Sequence, residues 1–176
     1  TKQEECIMAS AQERNTFVKN QITTTLLKRL ETKLLSEISV STLVNEAQVA
    51  RASFYRNYES LEDIIAQYDQ KLINEWAKKF ESTHDSELHN VFASLFQHYK
   101  EHEDFYMMLY RNDLTYLIRD TICRRIGPQP EMNDNESYRL AFLAYGIYGW
   151  IREWMSRGMN DIPEDLNEIF PNGLIL

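Results

Sequence analysis

Seven consecutive residues, Arg51-Ala52-Ser53-Phe54-Tyr55-Arg56-Asn57, set two guanidinium groups, a hydroxyl, a phenol and an amide within about two turns of a helix. Phe54 and Tyr58 are four apart and share one face, so they turn inward together. Arg51, Ala52, Ser53, Tyr55 and Arg56 are left mostly outward. A short helix with such an outer face suits a DNA major groove. Arginine offers paired donors to guanine O6 and N7, and hydroxyl or amide groups reach phosphates or base edges. Ser39 and Ser41, at the start of the preceding short helix, join Arg51, Ala52, Ser53, Tyr55, Arg56 and Asn57 as the candidate DNA-facing set. The other reading of Arg51 is a solvated arginine at a helix start.

His98 and His102 have the spacing at which two imidazoles can share a metal. Tyr99 stands where a zinc protease carries glutamate, and no third ligand is evident. The reading is therefore no metal and two half-exposed histidines on a charged face. There is no Gly-x-Ser-x-Gly elbow, phosphate loop or clustered Cys-His pair, so an enzyme is not expected and no cofactor is implied.

Two helices position the DNA-facing set. Val40, Leu43, Val44 and Ala47 recur at helical spacing after Ser39, which can cap the first free N–H groups. Gln48-Val49-Ala50 forms the turn, and Arg51 to Tyr58 the second helix. Ser60 with Asp63 has the capping-box pattern, Asp replacing the usual Glu or Gln, and starts a long helix from Leu61 to about Glu81. Upstream, a helix from about Asn15 to Leu35 carries Phe17, Ile22, Leu26, Leu30 and Leu34 as its apolar stripe. Residues 1–14 are expected to fray. Further helices follow over Glu87–Lys100, Asp104–Arg111, Leu114–Ile126 with Asp113 as its cap, and Glu136–Arg157 stopped by Gly158. A last short helix is expected from Pro163 to Phe170.

The chain has 176 residues with 43% apolar content, 5 Gly and 4 Pro, which favours long helices and a real core. Net charge is −8, against a protein coated in nucleic acid. Its distribution is uneven: +2 through Tyr58 and −10 beyond, a mildly basic head on an acidic body. Cys6 and Cys123 form no paired motif, which fits a reducing cytoplasm. The N-terminus lacks the pattern of a signal peptide, and the longest apolar run, Leu140 to Ile151, is too short to span a bilayer.

Residues 47–58, Ala-Gln-Val-Ala-Arg-Ala-Ser-Phe-Tyr-Arg-Asn-Tyr, resemble the signature of TetR-type transcriptional regulators. In that family an Ala-Gly-Val-Ser turn leads into a helix ending Phe/Leu-Tyr-x-His/Asn-Phe/Tyr. The resemblance runs from about Asn15 to Ile65. A weaker one covers residues 141–170, where an Arg-x-Trp-x-x-x-Gly-Met close is followed by a Pro-Glu-Asp-Leu segment. Gln48 replaces the usual turn Gly, Ala50 the usual Ser, and Leu61 the Lys that touches a DNA phosphate in the family.

The resemblance implies an all-α protein of about nine helices. Residues 1–60 would be a three-helix, helix-turn-helix DNA-binding head, and 61–176 a helical ligand-binding and dimerisation body. It implies a homodimer on double-stranded operator DNA, with the last long helices forming a four-helix bundle. Tyr138, Phe142, Tyr145, Gly146, Gly149, Leu166, Ile169 and Phe170 are the candidate dimer residues. A small apolar or aromatic effector is expected among Phe105, Tyr106, Met108, Leu109, Tyr116, Arg119, Trp150 and Trp154, although the same side chains would equally make a solid core. The alternative function is a protein-binding adaptor with weak or no DNA binding, towards which Leu61, Gln48 and the net charge lean. Either way the protein is expected in the cytoplasm, away from membranes.

Overall fold

The computed structural model describes residues 2–83 and 88–160, and among these it is all α-helical with no strand. The helices are α1 (Lys2–Leu30), α2 (Val40–Glu46), α3 (Arg51–Asn57), α4 (Leu61–Glu81), α5 (Leu88–Glu101), α6 (Glu103–Arg111), α7 (Thr115–Ile126) and α8 (Asp134–Ser156), with one 3-10 turn at Leu35–Glu37. The expected last helix from Pro163 to Phe170 lies outside the described residues. The chain divides into two compact units, Thr1–Tyr68 and Asp69–Leu176. The division falls inside α4, whose first half buries Ile64 and Ile65 and whose second half buries Leu72, Ile73 and Ala77.

In the first unit α1 begins at Lys2, well before the expected Asn15. Residues 2–14 contain no Gly or Pro, so nothing breaks the helix there. It ends at Leu30 rather than Leu35, and the chain turns as the amides of Thr32 and Lys33 bond to the Arg29 carbonyl. The expected stripe is accordingly shorter. Ile22, Leu26 and Leu30 are buried, whereas Phe17 is 63% and Leu34 52% exposed. Thr23-Thr24-Thr25 costs about 2 kcal/mol in propensity. Three buried aliphatic side chains return roughly 5–9 kcal/mol, so packing decides. Thr23 is also used, its hydroxyl lying 3.2 Å from the Tyr58 hydroxyl.

In the second unit α6, α7 and α8 share a core of Leu109, Leu117, Ile118, Ala144, Ile147 and Ile151, and α5 adds Phe92, Leu95, Phe96 and Tyr99. Asn133 caps α8 by accepting the Glu136 amide at 3.0 Å, and Gly127 ends α7 where a Cβ would clash with the Cys123 carbonyl. Asp113 does not cap α7, whose cap position is Leu114 without a side-chain bond. Asp113 instead takes the left-handed conformation, φ 57°, and closes α6, with the Leu114 amide reaching back to the Leu109 carbonyl at 2.9 Å. Among the described residues no helix is long and apolar enough to cross a membrane.

Candidate nucleic-acid interface

The turn between α2 and α3 is built from both ends. Ser39 caps α2 as expected, its hydroxyl accepting the Thr42 amide at 3.1 Å. At the far end Gln48 is held at φ 54°, a region that favours glycine, while the Val49 amide bonds to the Val44 carbonyl at 3.0 Å. The backbone therefore needs a left-handed residue where this chain supplies glutamine. Ala50 has N-cap geometry, φ −66° and ψ 139°, but no side chain to cap α3.

Phe54 is fully buried and Tyr58 nearly so, and their rings meet at 5.9 Å. Burial pushes the Tyr58 hydroxyl's pKa up, partly offset by its bond to Thr23. Lys19 sits 5.4 Å above the Tyr58 ring and donates to Gln67 at 2.8 Å, and Gln67 donates to the Asn57 carbonyl at 3.1 Å. An ion pair between Arg29 and Glu46 ties α1 to α2. The inward face of α3 is thus fixed by α1 and α4.

The outward face holds the candidate residues in three states. Ser41, Ala52 and Arg56 are exposed, with no side-chain partner among the described residues. Arg51 and Tyr55 are exposed but joined: the guanidinium donates to the Tyr55 hydroxyl at 3.2 Å and lies 5.6 Å over its ring. Asn57 spends its amide on the Ser53 carbonyl at 2.8 Å, Ser39 is engaged in capping, and Ser53 is half-buried. At the start of α4 the Ser60 hydroxyl accepts the Asp63 amide at 3.1 Å. Asp63 accepts from Glu59 rather than Ser60, one residue earlier than a capping box requires. Leu61 is buried at 9% exposure, so a lysine there would replace a core side chain.

In the body the expected pocket residues are spent differently. Tyr106, Met108, Leu109 and Trp154 are buried, and Phe105 and Trp150 are half-buried. Phe96 meets Trp154 at 5.3 Å and Trp150 at 6.5 Å. Tyr116 and Arg119 do not face this interior: Tyr116 is exposed, and Arg119 pairs with its neighbour Asp120 at 2.7 Å. His98 is not half-exposed as the sequence suggested; it is buried and 3.3 Å from the Tyr106 hydroxyl. Burial, with the His102 charge, holds its pKa down at about 4. No group of three or more potential metal ligands comes together among the described residues.

Sequence reading passed over Asp69. Fully buried on α4, it accepts the Tyr106 hydroxyl at 3.1 Å. Burial pushes its pKa up to about 6, against the lowering effect of Thr121, Tyr106 and Arg124. The signal was present: Asp69 is four residues from Ile65 and three from Leu72, on the apolar stripe of α4.

Of the candidate dimer residues, Tyr138, Phe142 and Tyr145 are 74%, 67% and 57% exposed and lie on one stripe of α8. Gly146 and Gly149 are exposed beside them, and a Cβ at either would meet nothing within 4 Å. These glycines therefore make no close approach within the subunit. Leu166, Ile169 and Phe170 lie outside the described residues.

Two short helices thus meet at a tight left-handed turn, and the described elements of both units are all helical. Residues 86–173, half of the chain, match the TetR-type family model described as a transcriptional regulator C-terminal region. The chain belongs to the TetR-type transcriptional regulators. Among solved structures it is similar to the fatty acid degradation regulator FadR from Bacillus halodurans, with 12% identity and a TM-score of 0.43 over 89% of this chain and 92% of that one. No curated protein sequence matches it.

Proposed function

We propose that this regulator acts in the cytoplasm by binding rather than catalysis, docking α3 in the major groove of operator DNA as a homodimer. The observation that carries the reading is α3 itself. Phe54 locks one face into the core, and Arg51, Tyr55 and Arg56 stand exposed on the other. The Arg51–Tyr55 contact holds the guanidinium along the helix before DNA arrives, which reduces the rotamer freedom lost on binding. Dimerisation through α8 is supported by the apolar stripe of Tyr138, Phe142 and Tyr145 beside two open glycines, and two-fold pairing is the commonest assembly. The body is the proposed receiver of a small effector. Such a molecule changes operator affinity only by the factor by which the operator changes its own.

Fluorescence anisotropy on random and selected duplexes across a salt series tests the DNA reading. Affinity should fall steeply with salt. Arg51→Ala should cost roughly 1–3 kcal/mol on a selected site if Arg51 reads a base, and weaken both duplexes alike if it touches phosphate. Negligible, salt-insensitive affinity would instead favour the adaptor. Sedimentation of Phe142→Glu should give a monomer where the parent gives a dimer.

A further inference from the structure

The core of the body holds a chain of three polar groups that ends at an opening. Asp69 Oδ1 accepts the Tyr106 hydroxyl at 3.1 Å, and that hydroxyl lies 3.3 Å from His98 Nε2. Asp69 and Tyr106 are fully buried, so neither meets water directly. His98 lines an open cleft between the second halves of α4 and α5. The other groups facing Asp69 offer no such path. Thr121 on α7 bonds to it but is itself buried. The Tyr99 hydroxyl on α5 is buried with no hydrogen-bond partner among the described residues. Arg124 on α7 acts on Asp69 through its charge and donates to Gln70. Around His98 stand Trp76 and Lys79 of α4, Glu101 and His102 of α5, and Tyr106 of α6. Among the described residues only Tyr106 bonds to the ring.

A tyrosine hydroxyl has one hydrogen, and here it stands between two acceptors. If Tyr106 donates to Asp69, His98 Nε2 must carry a hydrogen to bond the phenol oxygen. If Tyr106 donates to His98, Nε2 must be bare and the Asp69 carboxyl must donate. The two arrangements require opposite imidazole tautomers. We propose that Asp69 exchanges its proton with the cleft through Tyr106 and His98, so that its ionisation appears there as a change of the His98 tautomer. With Asp69 protonated, the carboxyl donates to Tyr106, Tyr106 donates to Nε2, and the ring carries its hydrogen on Nδ1. On ionisation each hydrogen moves one place along. The Asp69 proton passes to the Tyr106 oxygen, the Tyr106 proton to Nε2, and the Nδ1 proton to water in the cleft. His98 is neutral in both states. That agrees with a ring whose pKa burial holds at about 4 beside an acid at about 6. Nδ1, the nitrogen that Tyr106 does not use, turns from donor to acceptor as pH rises. None of this rests on the operator reading, so a chain that bound no DNA would give the same spectra.

The test is long-range proton–nitrogen correlation NMR of the full chain labelled at its four histidines, with His98→Gln identifying the signal. Between about pH 5 and 8 the His98 ring should stay neutral and its hydrogen should move from Nδ1 to Nε2. The midpoint should fall near the Asp69 value of about 6. Asp69→Asn should leave one tautomer at every pH. Tyr106→Phe should uncouple the pair, the Asp69 carboxyl carbon still titrating while the His98 tautomer stays fixed. The parent chain decides alone if a variant fails to fold. A single His98 tautomer across the range would overturn the proposal and put the acid proton on the oxygen facing Thr121. So would a ring that becomes imidazolium as Asp69 titrates, or a tautomer change that survives Tyr106→Phe.

Discussion

The two units handle polar groups in opposite ways. Around α3 the buried phenol of Tyr58 meets Thr23, and the exposed guanidinium of Arg51 meets Tyr55. The body instead buries the Tyr99 hydroxyl with no hydrogen-bond partner among the described residues, and a carboxylate, Asp69, beside the Tyr106 and Thr121 hydroxyls. Its Tyr106 hydroxyl donates to Asp69 and lies 3.3 Å from His98, so one buried chain runs from α4 through α6 to α5. An unsatisfied buried polar atom costs about 1–3 kcal/mol, so the body carries a penalty that the candidate DNA face does not. The head's distinctive chemistry is on its surface, over a conventional core. The body's distinctive chemistry includes its interior.

The largest expected effect tests the head's half of this contrast. Phe54→Ala should cost about 3–5 kcal/mol, because it empties a fully buried aromatic site. Tyr55→Ala, one residue along, should stay within about 0.5 kcal/mol. Hydrogen exchange of the α1 and α2 amides reads both. Equal losses would mean that α3 does not divide its faces as described.

The next effect belongs to the body and depends on pH. Asp69 has a folded pKa of about 6 against an ordinary 3.8, so the unfolded chain ionises first as pH rises. Stability from this group is complete below about pH 4 and is lost as pH climbs through 6, by about 3 kcal/mol. His98 runs the other way. Its pKa is lowered from 6.5 to about 4, so its stability is present above 6.5 and lost as pH falls towards 4. Between about pH 4 and 6 the two trends oppose each other. Asp69→Asn keeps an acceptor for Tyr106 and removes one trend. Urea unfolding should show the variant about 2–3 kcal/mol more stable at pH 8, with the gain vanishing towards pH 4. A gain independent of pH would show that Asp69 ionisation is not what the body pays for.

What was legible in the sequence follows the range of the contacts. The Ser39 cap, the Phe54–Tyr58 face and the start of α4 at Ser60 were readable because each is settled within four residues. Periodicity also gave the stripe of α1 but not its extent. Phe17 and Leu34 continue the spacing and are exposed, because the pattern names a face without saying whether anything covers it. The same limit misplaced His98, whose charged neighbours suggested exposure while its ring is buried beside Trp76 and the Tyr106 hydroxyl. In the body an aromatic-rich segment has one composition whether it lines a pocket or fills a core. Only packing distinguished Tyr106 and Leu109, which are buried, from Tyr116, which is not.

The smallest effects sharpen the comparison at one shared device. Three helices close on a residue at positive φ: α2 on Gln48 at 54°, α6 on Asp113 at 57° and α8 on Gly158 at 76°. Each is followed by an amide bonded five residues back, Val49 to Val44, Leu114 to Leu109 and Met159 to Trp154. Glycine takes this conformation without a Cβ penalty, aspartate tolerates it through local hydrogen bonding, and glutamine does neither well. Gln48→Gly should therefore raise head stability by about 0.5–1 kcal/mol, the relief of strain exceeding the extra freedom glycine gives the unfolded chain. Asp113→Gly should gain less. Ala50→Ser, which returns a hydroxyl to an N-cap already in the right geometry, should add about 1 kcal/mol to α3. Thermal unfolding of the three variants gives the order. If Asp113→Gly gained more than Gln48→Gly, strain at the α2–α3 turn would not be what separates them, and glutamine would be no handicap to the candidate DNA face.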